Sequence, residues 1–82
     1  MSKFIDKPIE VRSSQENFPL HFLYNGRWIK VNQTLDLWKD TGTWWDGEAE
    51  KTFHRIESSD GSLYELYHDS FSQSWFLYRV YD

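Results

Sequence analysis

Apolar and polar residues alternate with period two along most of this chain, the spacing of half-buried strands rather than of helices. Ile9–Ser13 alternates in this way after Lys3–Pro8, which reads as a loose lead-in with Pro8 suited to a strand start. Ser14–Asn17 is polar and turn-like, and Pro19 closes it. Leu20–Tyr24 then places Leu20, Phe22 and Tyr24 on one face and His21 and Leu23 on the other. Asn25-Gly26 follows at once, the signature of a type I′ hairpin, whose two central residues both need positive φ. In the return strand from Arg27, Ile29, Val31, Gln33, Leu35 and Leu37 share one face. Trp28, Lys30, Asn32, Thr34, Asp36 and Trp38 share the other. A helical turn over Thr34–Asp40 competes, with Thr34 as cap and Gly42 as stop. The unbroken odd-numbered face favours the strand.

The stretch Gly42–Glu48 sets two adjacent tryptophans, Trp44 and Trp45, between two glycines. Neighbours on an extended backbone point to opposite faces, so either the chain bends here or one indole stays near the surface. Lys51–Glu57 reads as the next strand, with a second type I′ hairpin at Ser59–Gly61 built around Asp60-Gly61. Ser62–His68 pairs back, with Leu63, Glu65 and Tyr67 opposite in facing to Tyr64, Leu66 and His68. Asp69–Ser74 is a polar connection. Trp75–Tyr81 is the last strand, with Trp75, Leu77, Arg79 and Tyr81 on one face and Phe76, Tyr78 and Val80 on the other. Aromatic residues on both its faces predict an interior strand covered on both sides. The whole reads as one all-β domain over residues 1–82, with six to seven antiparallel strands in up-and-down order forming a strongly bent sheet or small barrel.

Composition sharpens this picture. A chain of 82 residues without cysteine has no disulfide or Cys-based zinc site, so apolar burial must stabilise it. Five Trp, five Tyr and six Phe supply that area. The start Met1–Phe4 has no apolar signal region, and no apolar run reaches the length of a membrane span. The expectation is a cytoplasmic protein without membrane contact. Nine basic against thirteen acidic residues give a net charge of −4, which weighs against generic nucleic-acid affinity, since that draws on phosphate neutralisation.

Candidate chemistry is sparse. The glycines stand singly at turns, so no phosphate loop is formed, and no serine stands in a nucleophile-elbow context. His21, His54 and His68 lie in predicted strands at no metal-ligand spacing and read as surface histidines. His68 beside Asp69, with His54 across the hairpin, is the one minor metal alternative. Asp46, Glu48 and Glu50 share a face on an extended chain, and read as a solvated acidic edge that discourages pairing between molecules. No catalytic residue, metal or cofactor is expected. Most aromatics are needed for the core, and Trp44 is the foremost exception. Trp44, Trp45 and Trp28 are therefore the candidate anchors for a partner protein, of the kind enriched at interface hot spots. The alternative is single-stranded nucleic acid, stacked on exposed aromatics with Arg55 and Arg79 on its phosphates.

The pattern Phe22-x-Tyr24-x-Gly26-Arg27-Trp28-x-x-Val31, then Leu35-Asp36-x-Trp38, then Gly42-x-Trp44-Trp45-x-Gly47-Glu48 resembles an uncharacterised family of small bacterial proteins. So does the close, Tyr64-Glu65-Leu66-Tyr67 followed by Trp75-x-Leu77-x-Arg79-Val80-Tyr81-Asp82. The second half is also loosely similar to the C-terminal tail of the polymerase-like, inactive Y-family subunit of the bacterial translesion mutasome. That tail too has a paired-Trp segment, a strand hairpin and a Trp-to-Tyr-Asp ending, but this chain has no polymerase body. The resemblance implies a context of DNA-damage tolerance and protein contacts, not an activity. The reading is a non-enzymatic interaction or accessory module.

Overall fold

The computed structural model of the chain describes residues 2–40 and 50–81, and all of its regular structure is strand. The paired tryptophans Trp44 and Trp45, with Asp46 and Glu48, lie outside the described residues. The strands are β1 (Ser2–Ile9), β2 (Val11–Ser13), β3 (Pro19–Tyr24), β4 (Arg27–Asp40), β5 (Lys51–Ser58), β6 (Leu63–Asp69) and β7 (Ser74–Tyr81). They form one antiparallel sheet in the order β1-β7-β6-β5-β4-β3-β2, strongly curled into a half-barrel. From β2 to β7 the order is up-and-down, as expected, and β7 is interior in that order, between β6 and β1. It is not covered on both sides, however, because among the described residues all strands lie in one sheet.

The segment read as a lead-in is instead a full strand. β1 lies on β7, and Asp6 takes φ +51° where the β1–β7 register shifts between Phe4 and Lys7. β1 and β2 are separated by Glu10 alone, yet they occupy opposite ends of the strand order. Only a curled sheet lets one continuous stretch lie on β7 with its first part and on β3 with its second. At the crossing point the Leu23 N–H donates to the Glu10 carbonyl at 3.0 Å.

The curl has an inner and an outer face. Phe22, Ile56, Tyr64, Leu66, Trp75 and Leu77 form the buried inner core, with Ile5, Ile9, Val11, Tyr24, Ile29, Val31 and Val80 packed around it. Fully burying a side chain of this size stabilises by about 1.5–3 kcal/mol, so this cluster is the main support of the fold. Bulges decide which residues join it. β4 is extended from Arg27 to Asp40, so the helical turn over Thr34–Asp40 does not form. Its register against β5 shifts between Val31 and Gln33 and again between Thr34 and Asp36. Each bulge adds a residue and reverses the facing. Val31, Thr34 and Leu37 therefore pair with the inner positions Ser58, Ile56 and His54, and the odd-numbered face is broken. Leu35 and Leu37 are left largely exposed. In β7 a shift between Glu65 and Leu66 of β6 leaves Tyr78 extra, so Val80 joins Trp75 and Leu77 inside while Arg79 and Tyr81 turn outward.

The two hairpins differ. Asn25 and Gly26 take φ +52° and +73° between paired Tyr24 and Arg27, as a type I′ turn requires. At the second, Gly61 alone has positive φ (+86°), its N–H donates to Ser58 O at 2.9 Å, and Ser58 N–H donates to Ser62 O at 2.8 Å. This is a three-residue loop ending in a left-handed glycine, not the expected type I′ turn. Asp60 holds it, its Oδ1 accepting from the Ser62 N–H at 3.0 Å and from the Ser58 hydroxyl.

Candidate functional site

The three-residue turn sets the β5–β6 register, and that register builds the outer face. Arg55 lies opposite Glu65 and Phe53 opposite Tyr67. The rows continue into the neighbouring strands. Asp36 of β4 pairs with Arg55, Glu65 pairs with Arg79 of β7, and Arg79 pairs with Phe4 of β1. Trp38 pairs with Phe53, and Tyr67 pairs with Phe76. An ionic row and an aromatic row thus cross the sheet side by side. All seven strands belong to one sheet, so among the described residues no second layer covers them.

The ionic row is organised around Glu65, whose side chain is only 4% exposed although it is a carboxylate on the outer face. Arg55 reaches it through Nε at 3.3 Å and Nη2 at 3.2 Å, while its Nη1 bonds Asp36 at 2.9 Å. The hydrogen bond from Arg55 to Glu65 is the main cause that raises the guanidinium pKa above its ordinary value. Tyr81 donates its hydroxyl to Glu65. Arg79 Nε lies 3.9 Å from Glu65, an ion pair too long for a hydrogen bond, and Nη1 donates to the Tyr81 hydroxyl at 3.3 Å. Arg79 also sits over the Phe4 ring at 4.1 Å. These contacts balance a buried carboxylate that would otherwise be costly.

In the aromatic row Trp38 stacks on Phe53 with centroids 5.4 Å apart, and Tyr67 on Phe76 at 4.8 Å. Tyr78, displaced by its bulge, meets Phe53 edge-on at 5.1 Å and Phe4 at 5.3 Å. Lys51 lies over Tyr67 at 5.2 Å, and the Tyr67 hydroxyl donates to Asp6 at 2.7 Å. Burial, followed by this bond to Asp6, raises the Tyr67 pKa strongly. Phe53 and Tyr67 are buried within the row, Trp38 is exposed at 36% and Phe4 at 61%.

Of the residues chosen from the sequence, Arg55 and Arg79 meet around Glu65. Trp28 does not join them. It stands at the start of β4, exposed, with the Arg12 guanidinium 4.6 Å above its ring. Sequence reasoning missed Glu65 as the shared acceptor, and Phe53 and Phe76 as members of the outer row. The signal was present in the opposite charges of Arg55 and Glu65, equidistant from Asp60.

The histidines correct the expectation of a surface location. His54 is 2% exposed and His68 is 8% exposed, both on the inner face beside Trp75, at 5.2 and 5.1 Å. Phe18 meets His54 edge-on at 5.7 Å, and among the described residues neither ring nitrogen of His54 has a hydrogen-bond partner. Burial, then the neighbouring His68, lowers the His54 pKa to about 4. Among the described residues no group of three or more metal-ligating side chains comes together.

Fold and site together define a small all-β half-barrel domain with an ionic and an aromatic row on its outer face. The chain belongs to the family described as a domain of unknown function, DUF6504, whose model matches residues 1–82. No curated protein and no solved structure matches it.

Proposed function

We propose that this chain is a non-enzymatic protein-interaction module whose contact surface is the outer sheet face. The observation that carries the reading is an aromatic and arginine surface, Trp38, Phe4, Tyr78, Arg55 and Arg79, with no second layer over it among the described residues. Aromatic and arginine side chains are enriched at binding hot spots, and here their conformations are already fixed by stacking and ion pairing, which lowers the entropic cost of association. Trp44 and Trp45 remain candidate anchors from the sequence. The similarity to the mutasome subunit tail would place the partner in DNA-damage tolerance, within a bacterial cytoplasm.

The single-stranded nucleic-acid reading has less support. Arg55 is held by Asp36 and Glu65, and Arg79 by Glu65, so both charges are committed to carboxylates before a phosphate arrives. Site-specific photo-crosslinking in the native host tests the proposal. A photoreactive residue in place of Trp38 should capture a discrete protein, and the same residue in place of Ser59, at the hairpin, should not. Equal labelling at the two sites, or crosslinks to nucleic acid alone, would reject it.

A further inference from the structure

The half-barrel does not close evenly. After the crossing at Glu10, β3 runs on through Leu23 and Tyr24 to the Asn25-Gly26 turn, while β1 lies along β7. Between them is a groove of about 550 Å³, with Ile5 and Ile9 on one wall, Leu23 and Tyr24 on the other, and Leu77 at its floor. A second cleft of about 420 Å³ continues it past Lys3 and Phe4. β1 is the last strand in the order and pairs on one side only, so its other edge of backbone donors and acceptors faces this groove.

Two lysines mark the same edge. Lys7 pairs with the inner residue Leu77 and Lys3 with Val80, so both sit on the inner side of β1, at the mouth of the groove. Both are exposed, and neither makes an ion pair with any described residue. In a chain of net charge −4 this is a local basic edge, and among the described residues that line the groove Glu10, at its far end, is the one carboxylate. Inward charges on an edge strand block pairing between copies. An antiparallel β1–β1 pair centred on Ile5 would set Lys3 against the other copy's Lys7, like charges directly opposite.

We infer that the seam between β1 and β3 takes an extended acidic segment of a partner protein, added as a strand along β1. Its backbone pairs with the free edge, and along its inward-facing positions apolar side chains that meet Ile5, Ile9 and Leu77 alternate with carboxylates that meet Lys3 and Lys7. Main-chain hydrogen bonds supply affinity in this mode of recognition, and the alternate side chains supply selectivity. This site is distinct from the outer face and stands without it.

Titration of the isotopically labelled full chain with a synthetic peptide of Glu-Thr-Val-Thr repeats, which sets glutamate and valine alternately along one face of a strand, tests the inference. Amide shifts should concentrate at Lys3–Ile9 and Leu23–Gly26. Lys3→Glu with Lys7→Glu should weaken that peptide about tenfold, as two partly exposed ion pairs allow, and should bind the lysine–valine counterpart instead. Both positions are exposed, so the spectrum of the free variant should remain that of the folded chain. Shifts confined to the outer rows, equal binding of both peptides by the native chain, or shifts that follow protein concentration without peptide would each overturn it. The last result would assign the edge to a second copy.

Discussion

Acidification from pH 7.5 to 5 should cost this domain about 2 kcal/mol through one side chain, His54. The ring is buried between Phe18 and Trp75 with His68 nearby, and no described residue accepts or donates at either nitrogen. Burial therefore disfavours the cation in the folded chain, and the pKa falls from the ordinary 6.5 to about 4. Between these values the unfolded chain binds the proton and the folded chain does not, so stability falls as pH falls. At about 1.4 kcal/mol per pH unit the full loss below pH 4 is about 3 kcal/mol, of which about 2 has appeared at pH 5. Against a total of roughly 5–15 kcal/mol this is easily measured. Urea midpoints for the native chain and for His54→Phe, across pH 5 to 7.5, give the difference directly, and every group common to both cancels. Phenylalanine replaces an unpartnered polar ring with an apolar one of similar shape, so the variant should match or exceed the native chain at pH 7.5. The advantage should widen by about 2 kcal/mol at pH 5. Parallel curves would refute the burial argument, and a variant weaker by about 2 kcal/mol at pH 7.5 would show that the nitrogens do have partners.

Alkali should act through the tyrosines. Burial, the largest cause for both, raises Tyr64 and Tyr67 above the ordinary value of 10, so their stabilisation is complete below pH 10 and is lost as pH rises through the folded values. Thermal melts should drop above pH 10, and less so in Tyr67→Phe. Glu65→Gln should lower stability by about 2 kcal/mol, because it leaves Arg79, and one arm of Arg55, facing a neutral amide at a nearly buried position. An unchanged urea midpoint would show that the ionic row is not coupled to folding. Gly26→Val and Gly61→Val should each cost about 1 kcal/mol or more. Nothing lies within 4 Å of an added Cβ at either position, so the cost is backbone strain at φ +73° and +86°. Differential scanning calorimetry would register it, and an unmoved transition in both would contradict these turn conformations.

The strands from Ile9 to Tyr81 were legible because each keeps period two for long enough to be seen. What could not be read was where that period slips. The first shift in β4 reverses the facing of Gln33 and Thr34, the second restores it by Leu37, the one at Tyr78 reverses the end of β7, and no single residue type announces a bulge. They leave Leu35 exposed as the extra residue of a bulge and bring Arg79 and Tyr81 outward. β1 was hidden for a related reason. Its inner positions are Lys3, Ile5, Lys7 and Ile9, so charge appears where a core-facing pattern wants apolar groups. Those lysines stand inside because that part of the interior is an open groove rather than a core.

The candidate site turned on a single residue of register. A two-residue type I′ turn at Asp60-Gly61 would set Arg55 opposite Leu66, and the ionic row would not form. The three-residue loop sets it opposite Glu65, and the row then extends to Asp36 and Arg79. One consequence reaches the function. Because Arg55 and Arg79 are engaged within the sheet, the outer face presents aromatic area with little net charge, suited to an apolar partner surface. Lys3 and Lys7, at the seam, carry positive charge that no ion pair with a described residue engages. A small domain that places its shape-specific and its charge-specific surfaces on opposite faces of one curled sheet can engage two segments at once. If both belonged to one partner, the second contact would form at a high effective concentration, and modest individual affinities would suffice.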